Sequence, residues 1–340
     1  MTWRMPAEWD RHEATWMAWP TDGPSAADLD ADGLAAMRSA WAAVARAVAR
    51  FEPVRMAVDP ADLDGAGAEL GPGIDLVPVP LDDCWMRDMG PTFVVDDAGG
   101  VAAVSWVFNG WGAQEWATWE RDAAVADAVA AAAGVAVHSS PMVNEGGGIH
   151  VDGRGTVLVT ETVQRGEGRN PHWSRAQVEA ELARTIGTDR AVWLPRGLTR
   201  DYETFGTRGH VDIVAAFAGP STLLVHDQQD PGHPDHAVTA EVRAVLEEVP
   251  GVEVVPVPAP TVLTDDRGWV DWSYINHYVV NGGVVLCAFD DPHDAVAAEI
   301  LSRCYPDREV VLVDARPIFD RGGGIHCITQ QQPAAGGAGA

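Results

Sequence analysis

The segment VAVHSSPMVNEGGGIHVDGRGTVLVTE (residues 135–161) shows within one short stretch the pattern that recurs along this chain of 340 residues. A run of β-formers comes first, the pentapeptide GGGIH follows it, and two alternating apolar stretches around an Asp-Gly pair come last. This order predicts a strand followed by a β-hairpin. The pentapeptide returns at residues 322–326, where Cys327 follows it in place of Val151.

Five units of this kind are predicted. Alanine-rich patterns with a helical spacing of apolar residues lie near residues 29–51, 118–134, 174–187, 237–250 and 293–305. A short β-branched strand follows each pattern, and these strands start 56–61 residues apart, near Ile74, Val135, Ala191, Val252 and Glu309. In the first unit an extra stretch, PVRMAVDP and the Gly-rich segment after it, separates the helix from its strand.

The alternation and the period together predict the architecture. Strands that alternate with helices indicate an α/β fold, and a near-constant period indicates similar units that close into one array. We therefore expect a five-bladed, pseudo-symmetric α/β propeller with helices outside and strands around a central axis. A single domain is expected over residues 1–332. Residues 333–340, PAAGGAGA, are expected to form a disordered tail because they offer little to pack.

Composition and charge narrow the classes of function. The formal net charge is -27, from 50 acidic and 23 basic residues, and every basic residue is arginine. Such a surface repels nucleic acid and anionic membranes. No apolar run reaches the length of a membrane-spanning helix, and the charged N-terminus does not resemble a signal peptide. We expect a cytoplasmic protein without nucleic-acid or membrane partners.

Polar side chains with catalytic chemistry stand at the start of the predicted hairpin in four of the five units, where equivalent positions of the units would meet at the axis. These residues are Asp88, Glu145, His210, Asp212 and Cys327. His210 and Asp212 lie two positions apart in GHVDI, so on a strand both would point to one face. The glycines of GGGIH would let the backbone pass close to the axis. A phosphate-binding loop is disfavoured because no GK[ST] follows the glycines.

Four cysteines are too sparse for a disulfide framework and lack metal-type spacing. Cys287 and Cys304 fit packing roles, and we assign Cys84 to packing as well, although it lies beside Trp85 and Asp88. Cys327 differs, because a thiol replaces an apolar residue at a repeated position where a histidine and carboxylates are expected to converge. That arrangement suits nucleophilic catalysis.

Metal binding is not expected. His210 and Asp212 supply only two ligands, whereas zinc sites need three or four. The segment HPDH, with His233 and His236, lies in a proline-rich loop and is interpreted as a surface turn.

The carboxylates point to a cationic substrate. A guanidinium is planar, and its N–H groups fit carboxylates in bidentate pairs. Two aspartates would hold such a group for attack by the thiolate. His210 could then protonate the departing ammonia and activate water.

With these residues assembled, the chain resembles the agmatine deiminase family of the guanidino-group-modifying superfamily, which has the pentein propeller fold. The resemblance extends from Met5 to Pro333. It is carried by the motifs MPAEWDRHEATWMAWP, DDCWMRDMGPTFVV, EGGGIHVDGRGT, RNPHWSRAQVE, GHVD, YINHYVVNGGVV and GGGIHCITQQQP.

The resemblance implies hydrolysis of agmatine, a small cationic guanidino compound, to N-carbamoylputrescine and ammonia without a cofactor, in a homo-oligomer. It also implies roles for individual residues. Cys327 matches the nucleophile that forms an amidino-thioether, and His210 matches the general acid and base. Asp88 and Asp212 match the carboxylates that hold the guanidinium, and Glu145 and Trp85 match substrate-pocket positions.

One departure leaves the substrate open. The family pattern before GHVD is DETDG, whereas this chain reads DYETFGTR and places Arg208 two residues before His210. An arginine there could repel the terminal amine of agmatine, accept the carboxylate of arginine or a guanidino acid, or simply face outward. Peptidyl-arginine is a further alternative substrate. The same residues would also permit transfer of the amidino group to an amine, and a propeller of this kind could serve as a non-catalytic binding module.

Overall fold

A computed structural model describes residues 2–336 of the chain. The predicted helices are confirmed as Ala31–Val48, Val125–Ala133, Arg175–Ile186, Asp235–Glu247 and His293–Cys304. The strands predicted after them are confirmed as Ile74–Pro78, Ala136–Val143, Arg190–Leu194, Glu253–Pro258 and Glu309–Asp314. The second helix is shorter than expected, because the residues before Val125 form turns and a short 3-10 segment. The chain has an α/β fold.

The structure adds elements that the periodicity did not predict. The Gly-rich stretch of the first unit forms the helix Leu63–Leu70, and single helical turns occur at Met86–Met89, Glu161–Gln164 and Arg316–Phe319. Short 3-10 turns lie at Pro24–Ala26, Asp122–Ala124, Gly146–Gly148, Arg200–Tyr202 and Val211–Ile213. Two further strands near the N-terminus are His12–Ala18 and Val54–Val58.

Four three-stranded sheets share one plan. In each, two strands form an antiparallel hairpin, and a third strand, reached through a helix, runs parallel to the second. The hairpins are Thr92–Val95 with Val101–Val107, Ile149–Val151 with Thr156–Thr160, Ala215–Gly219 with Thr222–Asp227, and Tyr278–Val280 with Gly283–Ala288. A small separate hairpin joins Thr264–Asp265 to Gly268–Trp269.

The fifth sheet unites the two ends of the chain. Its C-terminal strand, Gln330–Pro333, pairs antiparallel with His12–Ala18. The strand Val54–Val58 runs parallel to His12–Ala18 on its other side, and Ile74–Pro78 completes the sheet. The last unit is therefore completed by the N-terminal strand, because Gln330–Pro333 after Cys327 pairs with His12–Ala18 and not with a strand that follows it.

The helix Arg175–Ile186 illustrates why these stretches are helical. Ser174 and Gln177 form a capping box, in which each side chain accepts from the backbone N–H of the other residue. Val178, Leu182 and Ile186 place a buried apolar stripe on one face. Gly187 ends the helix with a φ of 69°, a left-handed conformation that favours glycine.

Two local predictions around the site were wrong. His210 and Asp212 do not lie on a strand, because residues Val211–Ile213 form a 3-10 turn before the strand Ala215–Gly219. The two GGGIH copies also differ: the first leads directly into the strand Ile149–Val151, whereas the second leads into a turn, and its strand begins only at Gln330.

The interpretation of HPDH as a surface turn is only partly correct. His236 is exposed, but His233 is buried and lies against the ring of Trp269, because the segment turns inward at the start of the helix Asp235–Glu247.

The first residues of the predicted disordered tail are ordered. Pro333 ends a strand, and the backbone N–H of Ala334 donates to the carbonyl of Arg11. Residues 337–340 of that tail lie outside the described residues. Among residues 2–336, no helix is long and apolar enough to cross a membrane.

Candidate active site

The residues that the sequence grouped as a site are close neighbours in the structure. Nδ1 of His210 lies 3.8 Å from Oδ1 of Asp88, and Sγ of Cys327 lies 3.6 Å from Oδ2 of Asp212. Each of these four side chains is at most 4% exposed. Their charges therefore interact in surroundings that water screens poorly.

Glycine is required where these groups converge. A Cβ at Gly147 would lie 2.5 Å from Nδ1 of His210, 2.9 Å from Oδ1 of Asp88 and 3.1 Å from Oδ2 of Asp212. In the second pentapeptide, a Cβ at Gly323 would lie 2.9 Å from Sγ of Cys327. Both GGGIH copies thus bring bare backbone against the predicted catalytic side chains, as the sequence suggested.

Asp88 lies on the helical turn Met86–Met89, and both of its oxygens accept hydrogen bonds. The backbone N–H of Gly147 donates to Oδ1 at 3.0 Å, and the indole N–H of Trp111 donates to Oδ2 at 2.8 Å. Burial raises the pKa of Asp88 to about 6, although the neighbouring His210 and the Trp111 hydrogen bond oppose the rise. The carboxylate is therefore oriented before any substrate binds.

His210 is fixed through its backbone and left open at one ring nitrogen. Oδ2 of Asp201 accepts from the backbone N–H groups of Gly209 and His210. The ring atom Nε2 lies 3.4 Å from Oε2 of Glu145, whereas Nδ1 is buried without a hydrogen-bond partner among the described residues. Burial opposes the charged ring, but Asp88 and Glu145 outweigh it and raise the pKa of His210 to about 9.

Glu145 was expected to contact the substrate, but in the structure its carboxylate is already paired with another side chain. It is fully buried, and the Nε–H of Arg169 lies 3.0 and 2.9 Å from its two oxygens. Burial would raise the pKa of Glu145, but Arg169 and His210 lower it overall. We expect Glu145 to act through His210, since its oxygens already have partners.

Asp212 presents one held oxygen and one free oxygen. Oδ2 lies 2.7 Å from Nδ1 of His326, whereas Oδ1 is buried without a hydrogen-bond partner among residues 2–336. Burial opposes ionisation, but His326, His210 and Arg87 together lower the pKa of Asp212. An ionised carboxylate with an unpartnered oxygen is suited to bind a cation.

The thiol of Cys327 is protected from solvent and weakly acidic. Burial and the charges of Asp212 and Asp88 raise its pKa well above 9.0. Nδ2 of Asn276 lies 3.3 Å from Sγ and can donate to a thiolate. The other cysteines are also free: Cys84 and Cys287 are buried, and Cys304 is partly exposed.

Trp85 packs beside the thiol. Its indole N–H donates to Oγ of Ser25 at 2.8 Å, and its ring meets Trp41 edge-on. A Cβ at Gly323 would lie 2.8 Å from the Trp85 ring and 2.9 Å from the Cys327 sulfur, so both side chains contact the same glycine.

A cavity of about 890 Å³ lies next to these residues. Its lining includes Trp111 and Arg169, the residues that contact Asp88 and Glu145. Its wall carries three exposed glutamates and one exposed arginine, which are Glu115, Glu167, Glu203 and Arg208. One Nη of Arg208 donates to the backbone carbonyl of Tyr202, so part of this guanidinium already has a hydrogen-bond partner within the protein.

One group of side chains outside the predicted set has the spacing of metal ligands. Donor atoms of Glu8, His150 and His326 lie within 4.8 Å of one another. Nη2 of Arg87 lies 3.7 Å from the same glutamate oxygen that faces His326 at 2.8 Å. Because a guanidinium and an imidazole already occupy that oxygen, the arrangement does not fit a metal ion.

Several contacts of the site were missed by sequence reasoning. Arg169 lies in RNPHW, Asn276 in YINHY and Glu8 in MPAEW, so three of the motifs that carried the resemblance contained them. Trp111 lies in NGWGAQ, a loop outside the repeated strands and helices, and no periodic signal marked it.

Comparison with known proteins gives the family. Residues 4–333 match the family model of Porphyromonas-type peptidyl-arginine deiminases. A Streptomyces coelicolor protein, provisionally named an agmatine deiminase, is 62% identical over 339 residues, covering 98% of this chain and 99% of its own length. The agmatine deiminase of Pseudomonas aeruginosa is 40% identical over 359 residues, covering 97% and 95%.

A solved structure described as the agmatine deiminase of Enterococcus faecalis has a TM-score of 0.91 and 30% identity, covering 98% of this chain and 96% of that one. These matches confirm the resemblance predicted from the motifs. This chain belongs to the family of Porphyromonas-type peptidyl-arginine deiminases, together with the agmatine deiminases that it matches over nearly its whole length.

Proposed function

We propose that this protein is an agmatine deiminase, which hydrolyses agmatine to N-carbamoylputrescine and ammonia. The observation that carries the proposal is the convergence of Cys327, His210, Asp88 and Asp212 around Gly147 and Gly323. A thiol, a histidine and two carboxylates are the groups needed to bind a guanidinium and to replace one of its amino groups with water.

The first half of the reaction follows from these positions. Asp212 and Asp88 bind the guanidinium, whose positive charge favours the thiolate of Cys327 by lowering the thiol pKa. The thiolate forms a bond to the guanidinium carbon. One C–N bond then breaks as the protonated His210 gives its proton to the departing ammonia, which leaves an amidino-thioether on Cys327.

The second half reverses the proton transfer. Neutral His210 takes a proton from water, and the hydroxide oxygen bonds to the same carbon. The C–S bond breaks, the thiolate of Cys327 is restored, and the added oxygen gives up its remaining proton to solvent as the product leaves as a neutral substituted urea. The pKa of about 9 for His210 supports its starting as the proton donor at neutral pH.

The cavity supports agmatine over a guanidino acid. Three glutamates and two arginines line it, but Arg169 is paired with the buried Glu145 and Arg208 already donates to the Tyr202 carbonyl. Their excess of negative charge favours the ammonium at the far end of agmatine over a carboxylate.

Five sheets with a similar strand pattern support a five-bladed propeller in which each sheet is one blade. The sheet shared by the two termini would close the ring. A homo-oligomer and a cytoplasmic location remain predictions, and light scattering of the purified protein would test the first.

The test is ammonia release from agmatine, arginine, 4-guanidinobutyrate and methylguanidine, with Cys327→Ala as the control. Agmatine is expected to have the highest kcat/KM, and the variant is expected to release no ammonia above background. A preference for arginine or 4-guanidinobutyrate would overturn the substrate assignment. Ammonia release by Cys327→Ala at the wild-type rate would overturn the mechanism.

Product analysis in the presence of a primary amine tests whether the amidino group passes to an amine instead of water. A deiminase gives the substituted urea with or without the amine. Formation of a new guanidine on the added amine would identify an amidinotransferase.

A further inference from the structure

The histidines that end the two GGGIH pentapeptides meet inside the protein. The ring centroids of His150 and His326 are 6.1 Å apart, and both rings approach the carboxylate of Glu8. These three side chains are 7%, 3% and 5% exposed, respectively. The repeated motif therefore contributes two buried side chains besides its bare glycines.

The hydrogen bonds of the two histidines require one ring to be charged and the other to be neutral. Nδ1 of His326 lies 2.7 Å from Oδ2 of Asp212, and Nε2 lies 2.8 Å from Oε2 of Glu8. Carboxylate oxygens only accept, so both ring nitrogens must donate, which requires an imidazolium. Nδ1 of His150 instead accepts from the backbone N–H of Phe217 at 3.2 Å, which requires a neutral ring.

The electrostatic surroundings point in the same direction. Burial lowers the pKa of His150 to about 3. For His326, burial and Arg87 oppose the charge, but Glu8 and Asp212 outweigh them and raise the pKa. Two histidines at equivalent positions of a repeat have thus diverged, as Val151 and Cys327 have at the next position.

The carboxylate of Glu8 is fixed by further contacts, so it can stabilise the positive charge of His326. Its Oε1 accepts from the backbone N–H of Val279 at 2.8 Å, and Nη2 of Arg87 lies 3.7 Å from Oε2. Arg87 also donates through Nε to the carbonyl of His326 at 3.2 Å. Burial would raise the pKa of Glu8, but His326 and Arg87 lower it, so the carboxylate stays ionised.

We propose that His326 is a positioning residue whose ring, clamped between Glu8 and Asp212, fixes the Asp212 carboxylate for the guanidinium of the substrate. By holding Oδ2 of Asp212, which lies 3.6 Å from Sγ of Cys327, the ring fixes the carboxylate and leaves its Oδ1 buried without a hydrogen-bond partner among residues 2–336. The inference rests on the proposed function, in which Asp212 binds the guanidinium.

Removing the His326 charge has a predictable effect on pH dependence. His326 lowers the pKa of Asp212, so its loss raises that pKa, and the ionised carboxylate forms only at higher pH. Asp212 then joins Asp88, whose pKa is about 6, as a group that must lose its proton in this pH range, so the acid limb of the kcat/KM profile moves to higher pH. The ionisable groups that face Asp212 and His326 are Glu8, Arg87, Asp88, His150, His210, His277 and Cys327.

The experiment compares His326→Asn with His150→Asn, a matched control from the sister pentapeptide. In both variants the amide keeps a hydrogen-bonding group near the Nδ1 position but carries no charge. For His326→Asn we expect kcat/KM for agmatine at neutral pH to fall about 10- to 100-fold and the acid limb to rise by about one pH unit. For His150→Asn we expect kcat/KM within about threefold of wild type and an unmoved limb.

A structural role alone would lower the melting temperature of both variants and leave both acid limbs in place, and that result would overturn the proposal. Glu8→Gln is the second variant, for use if His326→Asn does not fold. It removes the partner that keeps His326 charged, so the acid limb should again rise. An unmoved limb in Glu8→Gln would also overturn the proposal.

A readout independent of turnover separates this inference from the proposed function. Nitrogen NMR of the wild-type protein, with the two Asn variants used for assignment, should show His326 doubly protonated and His150 neutral at neutral pH. If the wild type turned over no guanidine but His326 titrated as expected, only the proposed function would fail. A neutral His326 in an active enzyme would overturn only the positioning role.

Discussion

The indole N–H of Trp111 donates to Oδ2 of Asp88 at 2.8 Å, and this hydrogen bond connects the wall of the large cavity with a carboxylate of the site. The loop that carries Trp111 is unusual, since Gly110, Trp111, Gly112 and Ala113 all have positive φ. Left-handed backbone at two non-glycine residues is unfavourable by roughly 1–2 kcal/mol each, so other contacts must hold the loop in place.

Trp111→Phe is expected to shift the acid limb of activity upward. The Trp111 hydrogen bond lowers the pKa of Asp88, so its loss raises that pKa above about 6. Fewer Asp88 side chains are then ionised at a given acidic pH, and kcat/KM falls about tenfold. The measurement is the kcat/KM profile for agmatine. Trp116→Phe is the matched control, because Trp116 stacks on Trp111 but donates to Gln114. Equal profiles for both variants would remove Trp111 from the site.

Asp212→Asn is expected to make Cys327 more reactive while abolishing turnover. Burial and the Asp212 charge raise the thiol pKa, so removing that charge lowers it. Iodoacetamide should therefore alkylate Cys327 faster at neutral pH, by up to about tenfold for each unit of pKa. Peptide mass spectrometry measures the rate, and the partly exposed Cys304 in the same sample is the control. Slower alkylation of Cys327 in the variant would contradict this assignment of charge.

The units of the fold could be predicted because each is local. A helix, the strand after it and the next hairpin lie within about 60 residues, and their apolar spacing and turn residues are visible in any one copy. The N-terminal strand His12–Ala18 escaped, because its antiparallel partner in the sheet is Gln330–Pro333, at the opposite end of the chain. Pairing across the whole chain leaves no periodic mark.

The residues of the site could be predicted where they occupy corresponding positions of the repeated units. Cys327 was found because it breaks a repeat, and Asp88, His210 and Asp212 were found at corresponding positions of other units. Arg169 was not, because it reaches Glu145 from an irregular loop after the turn Glu161–Gln164. Such contacts depend on the path of the loop, which composition and spacing do not reveal.

Glu145→Gln is expected to move the basic limb of the kcat/KM profile to lower pH. The hydrogen bond and the charge of Glu145 help raise the pKa of His210 to about 9, so removing them lowers it. At a lower pH than in the wild type, His210 then loses the proton that it would give to the departing ammonia. Glu181→Gln, which removes a carboxylate paired with Arg184 on a helix surface, is the control and should leave the limb unmoved.

The stability of Glu145→Gln must be followed in parallel. The buried pair with Arg169 loses its charge, and breaking such a pair destabilises a protein by about 3–5 kcal/mol. The amide oxygen of the introduced glutamine can still accept from Arg169, so a smaller loss is expected and the profile remains measurable below the melting temperature. A basic limb that stays near pH 9 in the folded variant would show that Glu145 does not act through His210.

Gly147→Ala gives the most local test of the site. The added methyl would lie 2.5 Å from Nδ1 of His210 and 2.9 Å from Oδ1 of Asp88, so at least one of these groups must move. Because displacements of about 1 Å can reduce catalysis a hundredfold, we expect kcat/KM to fall by about that factor. Gly148→Ala is the matched control, since the atoms nearest to its methyl would belong to Val163, Asn144 and Gln164, at 3.1 to 3.4 Å. Crowding alone would affect both variants alike; a loss of activity confined to Gly147→Ala places the reacting group beside the first pentapeptide, and full activity in that variant removes it from there.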